Sequence, residues 1–341
     1  MMKTVARPDL LLAAAFVLLT GCSSSSAQRI VPGALSPGAM APRLLGHSTP
    51  FTNLYVANAS TVTVYAPGSG AVMRKISNVE PASLAVDSSG NLYVASETGA
   101  GRVQVYKPGA TVPFRTITQN VRGPRTLAVD RSDDLYVANG YFSVGVYAPG
   151  SSTPLRNLKS FYPISIAFDV ADNVYVGRSS GPYGGNASRV VVFAHDSSKT
   201  LRTIAAGISD PQSLAFDASG NLYVADTNVD LVAVYPKGAT KPLRKMRTGR
   251  GPTSLAVDGS GNLYVANNVS STVTVYALGK SKPVRTITSG ISGPTALLLD
   301  ASGTLYVANR RTVTVYAPGS SSPELKIRNG INEPVALALG P

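Results

Sequence analysis

The chain has 341 residues, 44% hydrophobic and 14% charged, with 32 Gly, 24 Pro and no Trp. That is enough apolar material for a large core, and the Gly and Pro content suits many short strands and turns better than helices. The net charge of +13 raises the question of nucleic acid, while a single cysteine excludes any disulfide framework.

At the N-terminus Lys3 and Arg7 precede an apolar run, Leu10 to Leu19, that is too short to span a bilayer as a helix. "LTGC" closes it at Cys22. The segment resembles a bacterial lipoprotein signal, which implies removal of residues 1–21 and a lipid on Cys22. Ser23, in place of an Asp after the cysteine, implies sorting to the outer membrane of a cell envelope with two membranes. Residues 22–50 then read as the lipidated Cys and a Ser- and Pro-rich tether. With Cys22 used for lipid, thiol catalysis is excluded.

From residue 51 to 341 the chain repeats. "NLYVAN" at 53 returns six times, and its tyrosines fall at 55, 93, 136, 175, 223, 264 and 306. A period near forty with several short strands per unit is a propeller signature. Three more elements recur in step: a "VTVY" strand, a short segment with one cation (Arg74, Arg115, Arg156, Arg202, Arg244, Arg285, Lys326), and a "P-x-S-L-A-V-D" strand. Each unit thus supplies an inner (SLAVD), second (LYVA), third (VTVY) and outer strand, with no sustained helical apolar period. The first unit lacks an inner strand, and Val335 to Leu339 is an inner strand left over. The expected fold is all-β, a seven-bladed propeller of four antiparallel strands per blade, closed by the C-terminal strand completing the N-terminal blade. The "P…LAVD…GNLYVAN…VxVY" skeleton resembles NHL-repeat and YVTN-type propellers over residues 53–340. Such propellers include binding proteins, scaffolds and a minority of enzymes.

The Asp-rich stretches, such as "DSSGN" at 87–91, resemble metal loops but recur around the ring, so they read as turns: Asp accepts nearby N–H groups, and Gly, or Asp133 and Asp172, takes the left-handed position. Thirteen tyrosines sit in register on second and third strands, with Phe193 in the remaining third-strand place, and belong to the core. Five do not: Tyr141, Phe142, Phe161, Tyr162 and Tyr183 fall in loops of two adjacent units, on one face. With Arg178 they form the candidate ligand or partner surface, because exposed aromatic clusters mark interaction sites. The expected partner is an envelope protein, a glycan or a small ligand, bound by a monomer that meets the membrane through its lipid.

Nucleic acid is not expected. Seven cations are assigned to outer strands, where charge discourages edge pairing, and an exported protein meets little nucleic acid. No catalytic residue and no cofactor are assigned. Of two histidines, His47 is in the tether and His195 in a turn on the opposite face, so the His–Glu constellation of streptogramin-lyase-like propellers is missing. The alternative is a metal-dependent hydrolase or lactonase, as the gluconolactonase-like branch would imply. A divalent cation such as calcium would then sit at the channel mouth on Asp226, Asn267 and Asn309. No Glu joins those positions, and Arg178 opposes the charge.

Overall fold

The computed structural model describes residues 53–141, 143–181 and 187–341. They form seven four-stranded antiparallel sheets, and the one helical element among the described residues is a 3₁₀ turn at Thr227–Val229. Cys22, His47, Phe142 and Tyr183, with the leader and tether, lie outside the described residues. No helix among the described residues is long and apolar enough to cross a membrane.

Blades are numbered 1 to 7 by their second-strand tyrosines. Blade 3 consists of Pro124–Val129, Leu135–Asn139, Ser143–Tyr147 and Arg156–Lys159. Blade 4 consists of Pro163–Phe168, Val174–Arg178, Arg189–Phe193 and Thr200–Ile204. Most inner strands open on proline, where a missing N–H disturbs no ladder bond. Blade 1 takes its inner strand, Ala336–Gly340, from the far end of the chain; it pairs antiparallel with Asn53–Ala57, Val56 opposite Leu337. Each blade buries both faces against its neighbours, which is why the strands read as continuous Val, Leu, Tyr and Ala runs. Seven hydrophobic clusters result, each shared by two adjacent blades. The cluster that closes the ring joins Leu54, Val56 and Leu337 of blade 1 to Ala308, Val313 and Ile327 of blade 7.

The Asp-rich stretches are hairpin turns. The Oδ1 of each of Asp87, Asp130, Asp169, Asp217, Asp258 and Asp300 accepts the N–H four residues on, at 2.8–3.0 Å. Gly90 takes φ +79°, with Asp133 at +63° and Asp172 at +57° in the same position.

The outer-strand cations do more than protect an edge. In blade 3 the Tyr136 hydroxyl donates to Asp130 Oδ2 at 3.1 Å and accepts from Arg156 at 3.0 Å. Arg74 does the same at Tyr55, and Arg202 at Tyr175. Blade 1 has no turn Asp, and there the Pro341 main-chain oxygen accepts from Tyr55 at 3.0 Å. Burial, reinforced in blade 5 by the nearby Asp217 carboxylate, pushes the Tyr223 hydroxyl up to about 12, so it remains a donor at neutral pH. Blade 7 departs from the sequence expectation: Leu325, not Lys326, pairs with Val315 at the position where Arg115 pairs with Val105. Its Tyr306 accordingly has no Arg or Asp hydrogen bond. The Tyr136→Phe variant strands Asp130 and Arg156 and is expected to lose about 1–3 kcal/mol. Tyr306→Phe should stay within about 0.5 kcal/mol. Urea unfolding midpoints of the two variants check the contrast; equal losses would contradict it.

Third-strand tyrosines tie five of the blades to the one before, through Tyr65, Tyr147, Tyr235, Tyr276 and Tyr316. Tyr147 donates to Gln119 O at 2.7 Å, Tyr235 to Ala206 O at 2.7 Å, and Tyr316 to Ser289 O at 2.6 Å. These bonds anchor the loops between blades to the strands, and what varies most from blade to blade is the loops.

Candidate functional site

Up-down strand order puts the loops between second and third strands on the same face as the loops that lead into each inner strand. This is the loop face; the Asp turns and the turns before the outer strands lie on the opposite, turn face. Tyr141, Phe161, Tyr162 and Arg178, read from the sequence as one surface, meet on the loop face of blades 3 and 4. The rings of Tyr141 and Tyr162 pack edge to face with centroids 5.6 Å apart. The Tyr162 N–H donates to Tyr141 O at 3.2 Å, and Ser179 N–H donates to Tyr162 O at 3.1 Å. The Arg178 guanidinium lies 5.6 Å from the centre of the Phe161 ring. Tyr141 remains 51% exposed and Phe161 44% exposed.

Tyr162 occupies an uncommon backbone state. The residue before the inner-strand proline is left-handed in several blades: Gly123, Gly251 and Gly293 lie at φ +54°, +70° and +55°, and Glu333 at +49°. Glycine suits that position, but blade 4 has Tyr162 there at φ +47°. A bulky residue in this region costs about 1–3 kcal/mol, and such strain concentrates at functional sites. Gly181, at φ +72°, passes the Tyr162 ring so closely that a Cβ would fall 2.3 Å from a ring carbon. The signal was present in the sequence as the column of glycines before proline.

At the end of each second strand, the position after "YVA" is buried and in most blades structural. Asn58 Oδ1 accepts from Asn332 N–H at 3.0 Å, Asn139 from Arg122 N–H at 3.0 Å, and Asn309 from Ser292 N–H at 2.9 Å. Each thus fixes the loop that leads into its own blade's inner strand. Ser96 instead pairs with Thr98 at 2.8 Å. Asp226 accepts from Ser209 N–H at 2.6 Å and Asp210 N–H at 2.9 Å, and its burial raises its carboxyl above the usual range despite these bonds. Asn267 donates to Thr272 and Thr274, each at 3.1 Å. The residues considered for a cation, Asp226, Asn267 and Asn309, therefore hold strands and loops, and among the described residues no three His, Cys, Asp or Glu side chains come together.

Arg178 is the exception in this column. It carries donors and no acceptor, so it cannot fix a loop N–H as asparagine does. It is only 8% exposed, and among the described residues it makes no ion pair or side-chain hydrogen bond and its Nε has no partner. Burial, and then the neighbouring Arg189 charge, lower its affinity for a proton. The buried hydroxyls of Ser160 and Ser188, on the same face of the same blade, also have no hydrogen-bond partner.

Other features lie elsewhere. His195 Nε2 stands 3.0 Å from Asp196 in a turn-face loop. One open groove, lined by Asp258, Arg285 and Ser302, is on the turn face of blades 6 and 7; another, lined by Ser60, Asn78 and Arg102, is on the loop face of blades 1 and 2.

No family model matches the chain, and no curated protein matches it. Among solved structures, a functionally unknown protein from Desulfotomaculum acetoxidans DSM 771 superposes with a TM-score of 0.70 at 15% identity, covering 85% of this chain and 99% of that one. At that identity the likeness shows the fold alone. In all, 1551 solved chains match, a number that itself makes the fold uninformative about activity.

Proposed function

We propose that this protein is an NHL- or YVTN-type propeller that works by binding, tethered by a lipid on Cys22 to the bacterial envelope, at the outer membrane. Its loop face at blades 3 and 4 engages an envelope protein, a glycan or a small ligand. The observation that carries this reading is the joined set of Tyr141, Phe161 and Tyr162: two rings about half exposed beside a third held in a strained backbone state. Rigid aromatic side chains lose little entropy on binding and dominate interface energetics.

The test is capture from an envelope extract by wild type and by the Tyr141→Ala/Phe161→Ala double variant. The variant is expected to lose capture while its melting temperature falls by only a few degrees, because both side chains are substantially exposed. Unchanged capture would contradict the reading, and a collapse in stability would assign the aromatics to packing.

A further inference from the structure

We infer that the aromatic surface of blades 3 and 4 is the rim of a site for an acidic saccharide, with Arg178 as the anion-binding residue; this rests on the loop face being the binding face. A buried cation without a counter-ion is costly, and here burial and a second cation, Arg189, paired opposite on the adjoining strand, both weigh against it. The fold offers a ready remedy, because four other blades carry asparagine at this position. Arginine in its place removes a loop-fixing acceptor and supplies a planar, multi-donor fork suited to a carboxylate or phosphate. The Phe161 ring holds the fork by stacking on it.

The surroundings narrow the ligand further. Ser160 and Ser188, in loops on the same face, carry buried hydroxyls with no hydrogen-bond partner among the described residues. The exposed rings of Tyr141 and Phe161 suit the apolar C–H face of a pyranose. A site made of one buried arginine and exposed aromatic rims fits a uronic acid or a sugar phosphate better than a neutral glycan.

The experiment is calorimetric titration of the protein with a short oligogalacturonate and, separately, with a neutral galactose oligosaccharide of the same length. Wild type is expected to bind the uronate at least tenfold more tightly than the neutral sugar. Arg178→Asn, the residue the fold uses elsewhere, should keep the melting temperature and weaken uronate binding at least tenfold. Lys237→Gln, a turn-face control, should bind like wild type, which separates a site from general attraction to a basic protein. Equal affinity for both sugars, or uronate binding unaffected by Arg178→Asn, would overturn the inference. If wild type binds neither sugar while capture from the extract still requires Tyr141 and Phe161, the saccharide assignment fails and the binding-face reading stands. If capture is also indifferent to those residues, both fail.

Discussion

Removing the last strand by ending the chain at Glu333 is expected to abolish cooperative folding. Ala336–Gly340 is the inner strand of blade 1, and Ala336, Leu337 and Ala338 are buried in the two clusters that flank it. Truncating Leu337 alone to Ala should cost about 2–5 kcal/mol. Loss of the whole strand also leaves one edge of Asn53–Ala57 unpaired, removes the acceptor of the Tyr55 hydroxyl, and opens the ring, against a total stability of about 5–15 kcal/mol for such domains. Thermal melting followed by circular dichroism checks this, together with rescue by a peptide of residues 334–341 added in excess. A truncated protein that melts within a few degrees of the full chain would show that the closure contributes little.

At Asp226 two substitutions should diverge. Asp226→Ala leaves the Ser209 and Asp210 N–H groups without acceptors in a buried setting and is expected to lose about 2–4 kcal/mol. Asp226→Asn, the residue used at Asn139 and Asn309, removes a buried charge but keeps only one of the two acceptors and turns its NH2 toward the other N–H, so at neutral pH it should lose less stability than Asp226→Ala. The sign of the pH dependence follows from the raised carboxyl: the folded state holds this proton more tightly than the unfolded state. The Asp226 contribution to stability is therefore highest below the unfolded value near 3.8 and falls as pH rises through the folded value. Asp226→Asn abolishes that part of the profile, so its deficit against wild type should be largest at acid pH and shrink on going to neutral pH. Urea unfolding of the three proteins across that range measures it. A deficit that instead grows from acid to neutral pH would contradict the assigned direction. If instead Asp226→Asn proves strongly destabilising and wild type carries a stoichiometric divalent cation, the carboxylate is a metal ligand and the structural role given to it is wrong.

The fold was legible because the chain states it seven times. Counting inner and second strands predicted that Val335 to Leu339 would return to blade 1, and the ladder Leu54–Leu339 and Val56–Leu337 is that return. The link from turn Asp through second-strand Tyr to outer-strand Arg was missed, although Asp87 and Tyr93, or Asp130 and Tyr136, stand six apart in every intact copy. Residue types considered singly do not show that a hairpin folds one onto the other. Blade 7 misled for a related reason: "PELKI" has its lysine one place beyond the arginine of "PFRTI", and chemical likeness masked that, in the same strand register, Leu325 takes the arginine position and packs against the core. The candidate site was legible as a departure from the pattern. Tyr141, Phe161, Tyr162 and Arg178 each break a column, and the topology brings these four together. What the sequence could not give was depth: exposed Tyr141, strained Tyr162 and buried, unpartnered Arg178 look equally irregular as letters.

The most direct test compares the two faces of the ring. Turn-face Val112 and Phe114 are as exposed as the loop-face pair, with Phe114 at 48%, so exposure alone would make both surfaces equally adhesive. Capture from an envelope extract should be lost with Tyr141→Ala/Phe161→Ala and retained with Val112→Ala/Phe114→Ala. The reverse pattern, or equal loss from both, would contradict a binding surface built on the loop face of blades 3 and 4.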